Sequence, residues 1–399
     1  MSETLSDFTP VNIEQWKVRL EKELKPPFQI ENLQWKVSDL VSLPPLSGPE
    51  SHDLQYLKNF HQAWKASMPA ARARISVGTH AMLSQSEEKW RKAEAYGFQS
   101  WFGPSPLSAG SAALPLSDRS KGHEPDPVLD GLAMGKWQAK GQETPSEWHI
   151  HGHDIQEAGG DMVQELASLL LVSDYYLDSA GAWPKMVWHL GTGTSFWMEL
   201  VKCRVARLLW MNFAAFHQKD FKNFQLTAKT STLHWSAADV DTNLIRHAAE
   251  VMAVLMGGVD EVRILPHTLD PEKALEATRL AANLALLCFE ESHLDDHFDP
   301  ASGSFWVENA TDALAAAAWQ KFTSWQEEGL ENLVRSGRWV GEIGDSANKL
   351  KAELQSGSKI QIGDNAYVSD MAQKSPDWPD GHIFSDADML ALRPFRLHT

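Results

Sequence analysis

Cysteine is almost missing from this chain of 399 residues; only Cys203 and Cys288 occur. Each falls in an apolar stretch of helical spacing, which points to buried thiols in a reducing compartment and argues against a disulfide framework. Basic residues are also few, 36 against 53 acidic ones, for a formal charge of -17. So acidic a chain repels phosphate backbones, and no nucleic-acid partner is expected. No stretch offers the roughly 18 unbroken apolar residues of a membrane span. The opening MSETLSDFTP has neither the basic start nor the apolar segment of a secretion signal, so a cytoplasmic protein without a membrane partner is expected. Tyrosine is rare, 5 residues beside 17 Trp and 16 Phe. The tryptophans, among them Trp197, Trp210, Trp319 and Trp325, are dispersed through helical stretches, as core-filling aromatics are.

What is present reads as an arm followed by repeated β-α units. Asn12 to Leu24 carries Trp16, Leu20 and Leu24 at one-turn spacing and is expected to be helical. The Pro- and Ser-rich segment after it, through Trp35 and Pro44-Pro45-Leu46, lacks periodicity and reads as an extended arm. From Arg74 onward short β-branched runs alternate with longer helical periods. Strands are expected at Arg74 to Val77, Ser100 to Phe102, Glu147 to His151, Lys185 to Leu190, Phe224 to Lys229, Glu261 to Leu265 and Ser304 to Val307. Helices are expected at Gln164 to Asp178, Ser195 to His217, Asp239 to Met256, Pro271 to His293 and Ala310 to Glu328. Residues 102–131, rich in Pro, Gly and Ser, read as irregular loop, and residues 359–371 as a short strand and turn. A parallel barrel and an open doubly wound sheet both fit this series.

Five blocks occur in one order: HGHDIQEAGG, ARLLW, TSTLHWSAADVDTNLIR, VLMGGVDEVRILP and FDPASGSFWVENATDALAAAAW. Together they resemble the substrate-barrel half of the methylmalonyl-CoA mutase family. The resemblance implies an α/β fold, a TIM-type (β/α)8 barrel at 74–365, preceded by an N-terminal helix and subunit-wrapping arm at 1–73 and followed by a tail at 366–399. Gly363-Asp364-Asn365 and Arg393-Pro394-Phe395-Arg396 match the family's barrel exit, and the sequence ends three residues later. A cobalamin domain, which needs on the order of 100 residues, is therefore not expected within it.

The same resemblance implies a pocket that has lost its chemistry. Where catalytic members carry a Tyr-His pair, this chain has His153-Asp154; where they carry Arg and His on a later strand, it has Gln225 and Thr227. A carboxylate beside a thioester repels a developing enolate-like oxygen, and loss of the Arg removes a bidentate partner for a substrate carboxylate. The vestigial pocket is expected to comprise His153, Asp154, Gln156, Gln225, Thr227 and Lys229, with no catalytic residue, metal or cofactor of its own. Gln156 to Gly159, Arg207, Trp210, Asn243, Arg246, Asp299-Pro300 and Gly303-Ser304, which match the family, are residues of turns, caps and helix packing. The implied role is that of the non-catalytic small subunit, in a heterodimer with a homologous large subunit that holds adenosylcobalamin; acyl-CoA is a further candidate ligand.

Two alternatives stand beside this reading. One is a catalytic acyl-CoA mutase barrel whose cobalamin domain is a separate protein. The other is a metal-dependent barrel hydrolase using His149 and His151, with His153 on the same strand face and His189 and Asp299 nearby. On an extended strand the outer two of the three histidines would lie about 13 Å apart, too far to share one ion.

Overall fold

The computed structural model describes residues 12–26, 29–48, 73–77, 133–135, 147–180, 185–236, 239–268, 273–294 and 299–368. The expected first helix is present as α1, Ile13–Glu23. Asn12 caps it: its side chain accepts from the Gln15 amide at 2.8 Å, and the Gln15 side chain accepts from the Asn12 amide at 3.1 Å. No α1 side chain is buried. Beyond it, β1 (Trp35–Lys36) and β2 (Ser42–Leu43) form an antiparallel pair. Ser38 closes their turn by accepting from the amides of Leu40 and Val41.

That part of the arm is docked on its own chain. Val41 and Leu43 enter the core, Trp35 stacks on Trp306 with centroids 5.3 Å apart, and Trp306 donates to the Pro44 carbonyl at 3.2 Å. Asn309 donates to the Ser47 hydroxyl at 2.9 Å, and Lys349 pairs with Asp39.

The main sheet has the order β3-β8-β7-β6-β5-β4. Its strands are β3 Arg74–Val77, β4 Ala133–Gly135, β5 Glu147–His151, β6 Lys185–Gly191, β7 Phe224–Lys229 and β8 Glu261–Ile264. β5 through β8 run parallel in sequence order, β3 adds parallel to β8, and β4 pairs antiparallel with β5. Period-two alternation gives the sheet two unlike faces. Ile150, Met186, Trp188, Leu190, Leu226, Ala228, Val262 and Ile264 form the buried apolar face, packed with α3 (Met162–Ala180), α4 (Phe196–Phe216) and α5 (Val240–Met256). The register puts His149 and His151, His189, Gln225, Thr227, Lys229 and Arg263 together on the other.

Further along the chain come α6 (Ala274–Leu286), which continues as a π-turn over Leu287–Glu291, then α7 (Phe305–Glu328), α8 (Leu330–Arg335) and α9 (Arg338–Gln355). Buried ion pairs fasten α4 to its neighbours. Arg204 reaches both Glu308 oxygens at 2.9 Å, Asp299 at 3.2 Å and the Thr311 hydroxyl at 2.9 Å. Arg207 donates to the Gly258 carbonyl and pairs with Asp260. Asn243 exchanges hydrogen bonds with the Ser236 backbone and accepts from Arg246. These are the architectural roles expected of Arg207, Asn243, Arg246 and Asp299.

Two expectations need correction. Ser304 to Val307 is not a strand; Ser304 is the N-cap and Phe305 to Val307 the first turn of α7. The Phe-Trp-Val run has β-forming composition, but it leads into a helical Ala/Leu period, and Trp306 turns outward to the arm. Helices α8 and α9 were not anticipated at all. The expected strand at Ser100 to Phe102 lies outside the described residues, and the expected strand near Ile362 reduces to one bridge, Ile362 with Ala366. Among the described residues no helix is long and apolar enough to cross a membrane.

Candidate functional site at the strand ends

Strand β5 stops at His151, Gly152 turns, and His153 opens the short helix α2, His153–Glu157. The expectation that His153 extends the row of His149 and His151 along one strand is therefore wrong, and so is the 13 Å spread. Gly152 folds His153 back, so that its ring lies 5.1 Å from His151 and 6.3 Å from His189, centroid to centroid. His151 and His189 stack at 4.5 Å with planes 9° apart, and His149 stacks on His189 at 5.2 Å. Nδ1 of His149 is 2.9 Å from Nε2 of His189, whose Nδ1 is 2.6 Å from the Thr227 hydroxyl.

The result is a ladder of imidazoles across β5 and β6, continued onto β7 by the Thr227 hydroxyl. Burial, then the neighbouring imidazoles, hold His151 and His189 well below the ordinary histidine range, so both are neutral near pH 7. Among the described residues no group of three or more His, Cys, Asp or Glu side chains is placed to hold a metal ion. Asp299, a candidate member of such a shell, is engaged by Arg204 instead.

The expected pocket residues divide into two groups. His153 and Asp154 meet, Nε2 to Oδ1, at 3.1 Å. Burial acts to raise the Asp154 carboxyl, but the His153 charge and hydrogen bond outweigh it and hold the group below its ordinary value. Asp154 is thus a carboxylate. Lys229 belongs to the same end of the site; burial lowers its amine, and the carboxylates of Glu157 and Asp154 oppose that. Gln156 turns away and donates to the Thr192 carbonyl at 2.8 Å. Thr227 joins the ladder. Gln225, two residues earlier on β7, accepts from Lys185 at 2.8 Å, near the opposite end of the strand, so it is not brought together with His153 and Asp154.

Several charged residues that support the strand ends were not anticipated from the sequence. Lys202 of α4 is fully buried, 2.9 Å from Glu165, 2.8 Å from Glu199 and 2.7 Å from the Gly191 carbonyl. Burial alone would lower its amine; the two carboxylates outweigh burial and raise it. Glu165 also accepts from the Gly191 amide at 2.7 Å, which fixes the last residue of β6. Glu250 of α5 is buried beside Thr192 and Ser231, and burial pushes its carboxyl up to about 8. Each of these charges sits within an apolar-patterned helix, and only the fold brings the partners together.

Comparison with known proteins fits this architecture. The family model described as methylmalonyl-CoA mutase matches residues 132–387. A probable mitochondrial methylmalonyl-CoA mutase of Caenorhabditis elegans is 30% identical over 243 residues, 56% of this chain and 32% of that protein. The methylmalonyl-CoA mutase small subunit of Porphyromonas gingivalis is 29% identical over 194 residues, 45% of this chain and 31% of that protein. The large subunit of Streptomyces virginiae is 32% identical over 236 residues, 55% and 32% respectively. The chain thus spans about a third of the length of these relatives. The family match covers more than half of the chain and includes β5 to β8 with the strand-end residues described above: the chain belongs to the methylmalonyl-CoA mutase family.

Proposed function

We propose that this chain is the non-catalytic small subunit of a cytoplasmic, heterodimeric mutase that interconverts methylmalonyl-CoA and succinyl-CoA, the chemistry being carried by a homologous large subunit with adenosylcobalamin. The observation that carries this reading is the His153–Asp154 pair. Asp154, a carboxylate engaged by His153, stands where the family resemblance implies the His of a Tyr-His pair beside the thioester, and a carboxylate donates no hydrogen bond or proton to negative charge developing there. The parallel order of β5 to β8, with β3 beside β8, supports a (β/α)8 barrel that joins its first strand to its last.

Among the described residues the imidazoles at the strand ends are engaged with one another, with Thr227 and with Asp154, which supports placing the family's cobalamin on the large subunit. An acyl-CoA remains a candidate occupant of the polar sheet face.

For the partner surface, α1 is the favoured element, because Trp35 to Ser47 already packs on its own chain whereas α1 buries no side chain and exposes Val18. Mixing the chain with a family large subunit and measuring complex formation by size exclusion and calorimetry tests the reading. The intact chain should form a 1:1 complex, and deletion of residues 1–26 should weaken it at least tenfold without altering the circular dichroism of the remainder. Undiminished pairing of the truncated chain would refute the role of α1; failure of the intact chain to pair with any large subunit would refute the subunit role itself.

A further inference from the structure

A closed circuit of hydrogen bonds runs under the strand ends. Gln156 donates to the Thr192 carbonyl at 2.8 Å, and the Thr192 hydroxyl meets Oε2 of Glu250 at 2.6 Å. The Ser231 amide donates to the same oxygen at 3.3 Å. The next residue, Thr232, donates through its amide and hydroxyl to Glu157 at 2.9 and 2.6 Å, and Glu157 is the chain neighbour of Gln156. Helix α2, the loop after β6 and the loop after β7 are joined in one ring, and Glu250 is its single member from α5. The same α2 carries His153 and Asp154.

We propose that Glu250 is a positioning residue that closes this ring as a neutral acid and lets it open on losing its proton. The charged groups that face it are Glu199 of α4 and Glu157 of α2, both of like sign, and Arg246, one turn earlier on α5, of opposite sign; Arg246 is held by the Asn243 side chain and the Ile362 carbonyl. Lys202, the amine of α4, is engaged by Glu165, Glu199 and the Gly191 carbonyl. His247, one turn earlier on α5, accepts from the Trp235 indole at 2.8 Å and is pushed down to about 4 by burial, so it offers no positive charge. The hydrogen bonds from Thr192 and Ser231 favour the ionised form, but burial outweighs them. An ionised Glu250 is then a buried carboxylate with no cation in ion-pair contact among the described residues, which is relieved by movement toward water. This device is independent of the subunit role proposed above.

Hydrogen exchange of the full chain at several pH values, corrected for intrinsic exchange, tests it in the peptides covering 191–195 and 229–236. Because an open Glu250 titrates near the ordinary glutamate value and a closed one near 8, protection of both loops should fall about tenfold per pH unit from pH 6 to 7.5 and level off above about 8. In Glu250→Gln, which keeps the shape and cannot ionise, protection should be retained and lose this slope. The same pH profile in Glu250→Gln as in the parent chain overturns the proposal. Should that variant not fold, the carboxyl carbons of glutamate-labelled parent protein decide instead. One resonance titrating between pH 7 and 9 supports the proposal, and none doing so overturns it.

Discussion

His149 and His189 are joined nitrogen to nitrogen at 2.9 Å across β5 and β6, and stacking of His151 on His189 at 4.5 Å makes the pair part of a ladder that must stay neutral to stay stacked. The sign of its pH effect follows. Histidine in the unfolded chain titrates near 6.5, whereas His151 and His189 are held well below that by burial. Below about pH 6.5 the unfolded chain therefore binds more protons, and stability falls as pH falls, by up to tenfold in the unfolding equilibrium per pH unit for each such histidine. His151→Phe keeps a ring in the stack and removes one titrating group. Urea unfolding at pH 7.5, 6.5 and 5.5 should show the variant losing about one proton's worth of this slope. Parallel slopes for variant and parent would mean that the ladder does not control acid stability. Glu250 acts in the opposite sense between about pH 4.5 and 8, so the comparison is made against the parent at each pH.

Lys202 should be the most costly single charge to remove. Replacing it with Met leaves Glu165 and Glu199 buried and facing each other without a cation. A loss of about 3–5 kcal/mol is expected, seen as a lower urea midpoint at an unchanged denaturant slope. Adding Glu165→Gln and Glu199→Gln should recover most of it, because the penalty lies in the orphaned charges. A Lys202→Met variant within about 0.5 kcal/mol of the parent would contradict this account of the α3–α4 packing.

Gly159 has φ +89°, and a Cβ there would lie 2.5 Å from Cβ of Ala347 on α9. Gly159→Ala thus meets both a dihedral that L-residues disfavour and a hard contact, and should cost about 2–4 kcal/mol. Ala347→Gly removes only the Cβ contact and leaves Cα of residue 347 at 2.9 Å, while a Gly inside α9 itself costs about 1 kcal/mol; measured against Ala347→Gly alone, Gly159→Ala should therefore cost less than it does in the parent chain but not become neutral. An equal cost in both backgrounds would mean that the Ala347 side chain is not what constrains the turn.

The strands were legible where residue type and period agree. Phe224 to Lys229 reads as a strand because alternation is uninterrupted, and it is one. Ser304 to Val307 misled because local composition favoured β-structure while the following helix captured the segment. At the site, His153 and Asp154 were found from their place in a family block, but their geometry depends on the turn at Gly152, which no periodicity marks. Lys202, Glu165 and Glu250 stayed hidden because a charge buried by distant partners looks, in sequence, like any charge on an exposed helix face.

The central claim, that the strand-end site of this chain performs no chemistry, is tested most directly by turnover of methylmalonyl-CoA in the presence of adenosylcobalamin, with and without a family large subunit. The chain alone should form no succinyl-CoA. In the reconstituted complex, Asp154→Asn in this chain should leave kcat and KM unchanged within twofold. Turnover by this chain alone, or a tenfold or greater loss of kcat when only its Asp154 is altered in a complex that still assembles, would contradict the account.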